Sequence, residues 1–312
     1  MKNTLFFIFL LIVSCGGGGN GSGGNEASSL VADVLVQGVV IVDDYVRGAT
    51  VFLDENLNNQ LDPSEISTIS DSSGNFSLTI SNNKSGNLVS LAGIDKTENR
   101  VLESDFLMIH NLLNFNEFKV ISPLTTIDYI YKRDYGESFN HPINEALGIY
   151  YAFDIYKEDP LAENARTGPN TSAYVYEKGI QSVVLARALK NLCNLNLDVS
   201  YLKFWEKLAS AVALSKRNEP TKRANIESPQ FIARFTEIEF QRCVSLNVGD
   251  VVIAKNNFDL ILSNVLAIIE KKPQTQKSLQ DTIMSWANSA NLRTLLTSLS
   301  QGIDSIVTNE KI

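Results

Sequence analysis

The sequence predicts an α+β chain of two domains, an antiparallel β-sandwich at 34–121 followed by an all-α helical bundle at 122–312. Three observations carry this expectation. Short apolar or β-branched runs, broken by turn residues, fill the stretch from Val34 to Ile94. After Ser122 the apolar spacing lengthens to that of a helix. The composition, 44% hydrophobic and 20% charged over 312 residues, is that of a globular chain with material for about two domains. The formal charge of -8 speaks against a nucleic-acid partner, whose phosphates call for a basic face.

The first element is a targeting signal at 1–14, MKNTLFFIFLLIVS. Lys2 supplies a positive start, and the apolar run Leu5–Val13 is too short to span a bilayer but suits a signal-peptide core. Ile12-Val13-Ser14-Cys15 resembles the bacterial lipobox. That resemblance implies diacylglycerol on the Cys15 thiol, cleavage before it and acylation of the new amino group. Several acyl chains would anchor the protein to the membrane durably. Gly16, rather than Asp, follows the cysteine, which resembles the outer-membrane default of lipoprotein sorting. The expected place is the outer membrane, on its periplasmic face or at the cell surface. Residues 15–33, with GGGGNGSGG at 16–24, read as a flexible tether of about 20–25 Å average reach. No strand precedes those glycines, so they are not read as a phosphate-binding loop.

In the sandwich, the expected strands are Val34–Val42, Ala49–Leu53, Ile66–Ser70, Phe76–Ile80 and Leu88–Ile94. The loop DENLNNQLDPSE at 54–65 has the ligand spacing of an EF-hand. Asp54, Asn56 and Asn58 take positions one, three and five, Gln60 offers its carbonyl at seven, and Asp62 and Glu65 stand at nine and twelve. A hard Ca²⁺ ion needs six to eight oxygens, and such a loop supplies them locally. Position six, normally glycine, is Asn59, a residue that tolerates left-handed backbone. With only three carboxylates the expected binding is weak. The competing reading is a solvated acidic hairpin loop.

The run from Asp44 through Gly48-Ala49-Thr50-Val51-Phe52-Leu53-Asp54, with Asp71-Ser72-Ser73-Gly74-Asn75-Phe76 after the loop, resembles a recurring module of bacterial surface proteins. It is similar to the carboxypeptidase-regulatory-like and Cna-B/SdrD-B-like sandwiches. Val120-Ile121-Ser122-Pro123-Leu124-Thr125-Thr126-Ile127, Ala146-Leu147-Gly148 and Asp159-Pro160-Leu161-Ala162 resemble the stretch that follows such modules, so about 38–190 is covered. The resemblance implies a transthyretin-like fold, a non-catalytic role and, in some members, structural calcium. Asp44 and Asn59 replace glycines of the usual pattern.

In the helical part, Ser122 reads as a cap and Pro123 as a first helical residue, so the following Thr pair reads as structural. Pro142 opens a short helix. Ile180, Val184, Ala188 and Leu192 mark a long one within 172–195, and Leu202, Trp205, Ala209 and Val212 the next. Further stripes at Phe231–Ile238, Phe258–Ile269, Leu279–Trp286 and Leu292–Ile303 extend the bundle. His110 and His141 read as loop or surface polar residues, and no catalytic motif accompanies them. The Tyr129–Tyr135 and Tyr150–Tyr156 stretches fit either a sugar site or helix core. Cys193 and Cys243 remain after Cys15 is acylated, and an oxidising compartment favours one disulfide between them.

The functional expectation is therefore a lipid-anchored cell-envelope protein with a structural or adhesion-like interaction role, without enzymatic activity. An envelope protein or a glycan would be its partner. One alternative is a glycan- or peptide-binding lipoprotein that uses the helical part. A second is a hydrolase without a recognisable motif.

Overall fold

In the computed structural model the described residues are 32–42, 44–96, 100–112, 114–136, 142–162, 166–193, 200–226 and 231. Over these the chain is α+β, with a strand-rich first part. The strands are β1 (Asp33–Val40), β2 (Val46–Arg47), β3 (Thr50–Asp54), β4 (Ser67–Ile69), β5 (Asn75–Ser81), β6 (Asn87–Leu91), β7 (Ile94–Asp95), β8 (Arg100–Val101), β9 (Leu107–Asn111) and β10 (Lys119–Ile121). The helices are α1 (Pro123–Tyr135), α2 (Pro142–Leu147), α3 (Pro169–Cys193) and α4 (Tyr201–Asn218). The signal and tether at 1–31, His141, Cys243 and all helical stripes from 232 onward lie outside the described residues.

Three sheets form, ordered β10-β1-β5, β2-β7-β8 and β4-β3-β6-β9. The pairings are antiparallel except β1 with β10, which run parallel with Val39 opposite Val120. The parallel pair departs from the all-antiparallel expectation. A parallel partner needs a long crossover, and here the whole stretch between the two strands serves as one. β5 alternates cleanly, with Phe76, Leu78 and Ile80 buried between exposed Asn75, Ser77 and Thr79. β3 and β6 are buried on both faces because both faces are covered. On one face Phe52, Val89, Leu107 and Ile109 form a cluster against Tyr129 of α1 and Leu202 of α4. On the other, Val51, Leu53, Leu88 and Met108 join a cluster that also takes in Val36 and Ile80. That larger cluster continues through Ile127, Ile143, Phe153, Ile180 and Trp205, so strands and helices share one apolar interior.

α1 begins where the sequence places it. Ser122 is the N-cap in extended conformation, Pro123 follows, and Ser122 and Thr125 exchange side-chain-to-backbone bonds in a capping box. Thr125 and Thr126 are fully buried for a further reason: they satisfy the open edge of β9. Thr126 Oγ1 accepts from Ile109 N–H at 2.9 Å, and Thr125 Oγ1 lies 2.9 Å from Ile109 O. Two positions along, Trp205 Nε1–H of α4 donates to Leu107 O at 2.9 Å. One turn into α1, buried Asp128 accepts from Ile143 N–H and from Tyr156 Oη, each at 2.9 Å, and pairs with Lys132 at 3.0 Å. This carboxylate ties α1 to the start of α2 and to the loop after it.

Thr126→Val keeps the shape of the side chain and removes the hydroxyl, leaving the Ile109 N–H buried without an acceptor. The expected cost is about 1–3 kcal/mol in urea denaturation, with the slope unchanged. A variant as stable as the wild type would mean that this edge bond carries no net free energy.

Candidate functional site

The loop at 54–65 is built from the end of β3. Asp54 pairs with Asn87 in the β3–β6 ladder, and Leu53 N–H donates to Ile66 O at 3.0 Å, closing the loop's base. The side chain of Asp54 then turns into the loop and is fully buried. Its two oxygens accept from Asn58 N–H at 3.1 Å and Asn59 N–H at 2.9 Å. Asn56 Oδ1 accepts from Asn58 N–H at 3.0 Å and Asn58 Oδ1 from Gln60 N–H at 2.7 Å, two successive Asx turns. Asn59 sits at φ 60°, the left-handed conformation that this position needs, so asparagine does the work of the expected glycine. Leu57 shares that φ without the same tolerance.

At the far end, Glu65 accepts from Glu55 N–H at 2.9 Å and from Asp62 N–H at 3.1 Å. The amide groups of Asn56 and Asn58 both donate to Asp62 Oδ2, at 2.6 and 2.9 Å. Positions three, five and nine therefore converge on one carboxylate oxygen. Lys84 braces the outside of the loop through Glu55 at 2.7 Å. Gly86 backs directly onto the Asp54 carbonyl, where a Cβ has no room.

This arrangement fits a hard cation in part. The donor set is all oxygen and converges, and Asn59 Oδ1 is buried with no hydrogen-bond partner. The carboxylates, however, are engaged by N–H donors, and among the described residues no group of three or more His, Cys, Asp or Glu stands where it could hold a metal ion. Binding Ca²⁺ would require it to displace the two amides from Asp62 and to turn Glu65 from the backbone, which keeps affinity low. Asp54, Asn56, Asn58, the Gln60 carbonyl, Asp62 and Glu65 would supply the ligands.

The other sites anticipated from sequence fare differently. Cys15 and Cys243 lie outside the described residues, and Cys193 ends α3. His110 is not a loop residue. It lies in β9, in register with Leu88, only 2% exposed, and its Nδ1 is 2.9 Å from Val120 O. The carbonyl can only accept, so this nitrogen carries the hydrogen. The ring stands edge-on to Tyr156 at 5.0 Å. Burial lowers its pKa from 6.5 to about 3, opposed by the Val120 bond and helped by nearby Lys119. The sequence pattern concealed this placement because His-Asn breaks an otherwise apolar run. Comparison with protein-family models, with curated proteins and with solved structures finds no match for the chain.

The buried neutral imidazole makes stability pH-dependent. The unfolded chain takes up a proton near pH 6.5, whereas the folded one does not until about 3. Stability is therefore lost as pH falls below 6.5, by about 1.4 kcal/mol per pH unit from this group. His110→Asn, which keeps an N–H for Val120 O, should flatten the slope of denaturation free energy between pH 7 and 5 relative to wild type. Parallel slopes for the two proteins would refute the assignment.

Proposed function

We propose that the chain is a lipid-anchored cell-envelope protein with a structural or interaction role, not a catalytic one. Acyl chains on Cys15 hold it to the outer membrane, and a weak Ca²⁺ site at 54–65 stiffens its strand-built part. The supporting observation is the use made of the loop's carboxylates: Asp54 and Glu65 each bind two N–H groups of the chain and so fix its shape. A general acid or base needs its oxygens turned toward a substrate. The surface-module resemblance over 38–190, with the transthyretin-like sandwich it implies, supports the same reading, and so does the strand-rich first part of the described residues; in this reading a strand-built part at 34–121 precedes a helical part at 122–312. No described helix is long and apolar enough to cross a membrane, and in this reading the lipid supplies the attachment. The Cys193–Cys243 disulfide belongs to the same reading, because the protein would mature outside the cytoplasm.

Two measurements test it. Cells fed labelled fatty acid should incorporate the label into the wild type and not into Cys15→Ser, which should remain uncleaved or leave the membrane. An unlabelled wild type removes the anchoring argument. Melting with excess Ca²⁺ and with chelator should differ, by about 2.7 kcal/mol at a hundredfold excess over Kd. Asp54→Ala should abolish the difference and Asn58→Asp, which adds a carboxylate, should enlarge it. Identical wild-type curves with and without calcium dispose of the metal site.

A further inference from the structure

The tyrosines that the sequence left ambiguous divide sharply. Tyr156 is buried in the core. Tyr135, Tyr150 and Tyr151 are 49%, 49% and 81% exposed. The exposed ones line two neighbouring clefts. The first, of about 530 Å³, lies between α1, the start of α2 and the end of α4, and Tyr131, Tyr135 and Arg217 face it. The second, of about 760 Å³, lies beside the 148–154 loop, and Tyr150, Tyr151, Arg166 and Arg223 face it. Glu145 belongs to both, and its 3.2 Å ion pair with Lys216 forms the saddle between them.

Two features of this surface point to a ligand. The first is charge. Glu145 is paired with Lys216 and Asp154 with Lys157 at 3.1 Å, so the acidic groups are answered. Among the described residues no carboxylate stands within ion-pair distance of Arg217 or Arg223, on a chain whose net charge is -8. Arg223 packs across Gly148, which is at φ 72°, with its Cδ, Nε and Cζ atoms in the space that a Cβ would take. The second is the rings, paired edge-to-face at 4.8 Å for Tyr150–Tyr151 and tilted at 5.5 Å for Tyr131–Tyr135. Each offers an apolar face with a polar rim.

We propose that the two clefts form one groove for a linear acidic glycan. Sugar rings lie on the tyrosines, and carboxylates meet Arg223 and Arg217. A peptide fits less well. The clefts are bordered by helices and a loop, so no sheet edge offers strand addition, and the Glu145–Lys216 pair interrupts the apolar stretch along which a helix would dock. The inference uses neither Cys15 nor loop 54–65 and stands or falls apart from them.

The test is titration calorimetry of the full-length chain, in chelator so that no calcium bridges ligand and protein. The probes are a tetrasaccharide of galacturonic acid, neutral maltotetraose and tetraglutamate. The uronate should bind, at least tenfold more tightly than maltotetraose, and weaken as salt rises. Arg223→Gln and Tyr151→Ala change exposed side chains, so they should keep the wild-type melting temperature while each loses tenfold or more in affinity. No uronate binding, equal or tighter binding of tetraglutamate, or unchanged affinity in both variants overturns the proposal.

Discussion

The constraint on which the described structure turns is the open edge of β9. A sheet ordered β4-β3-β6-β9 leaves the outer N–H and C=O groups of its last strand without strand partners. This edge is buried, so water cannot serve them. Thr126 and Thr125 answer the Ile109 amide and carbonyl, and the Trp205 indole answers Leu107 O. Each bond is worth only about 1 kcal/mol net, but each group left unanswered would cost about 1–3 kcal/mol. The helices are therefore required by the sheet as much as supported by it. His110 extends the same strand toward β10 through Val120 O, and β10 in turn pairs with β1, so β9 links two of the three sheets.

This explains why α1 is an unusual helix. Its buried positions include Thr125, Thr126 and Asp128 alongside Leu124, Ile127 and Ile130. An amphipathic pattern reserves polar residues for water. Here the polar residues face inward because the partner surface is backbone. Asp128 shows the same logic one turn later, where a fully buried carboxylate is acceptable because Lys132, Tyr156 and the Ile143 N–H saturate it.

How much of this was legible in the sequence depends on the length scale of the signal. Phe76, Leu78 and Ile80 alternate over neighbouring residues, and Ser122-Pro123 is a local cap, so β5 and the start of α1 could be read directly. The loop spacing from Asp54 to Glu65 was equally local, and so was the left-handed demand met by Asn59. What could not be read was anything decided by a distant partner. β9 and β10 are short and hold His110 and Lys119, buried polar residues whose acceptance depends on neighbours far along the chain. Nor could spacing reveal that the Asn56 and Asn58 amides turn their N–H groups on Asp62. Thr125 and Thr126 read as structural from their place after the cap, but their partner Ile109 is hidden for the same reason.

The distribution of charge follows from these internal demands. Net acidity alone predicts carboxylates everywhere on the surface. Instead Asp54, Asp128 and Asp159 are drawn inward, the last held 2.7 Å from Tyr45 Oη, where burial raises the pKa of both. Every carboxylate spent on a backbone N–H or a phenol is one fewer to neutralise a surface arginine. The result is local: around Glu145 the acidic groups are already paired, and Arg217 and Arg223 are left facing open clefts. Net charge sets the long-range field of the molecule, but the groups within a few ångströms decide what a cleft attracts once the Debye length has screened the rest. A chain with net negative charge can in this way carry a groove suited to anions, provided that folding draws carboxylates inward and leaves guanidinium groups at the cleft walls.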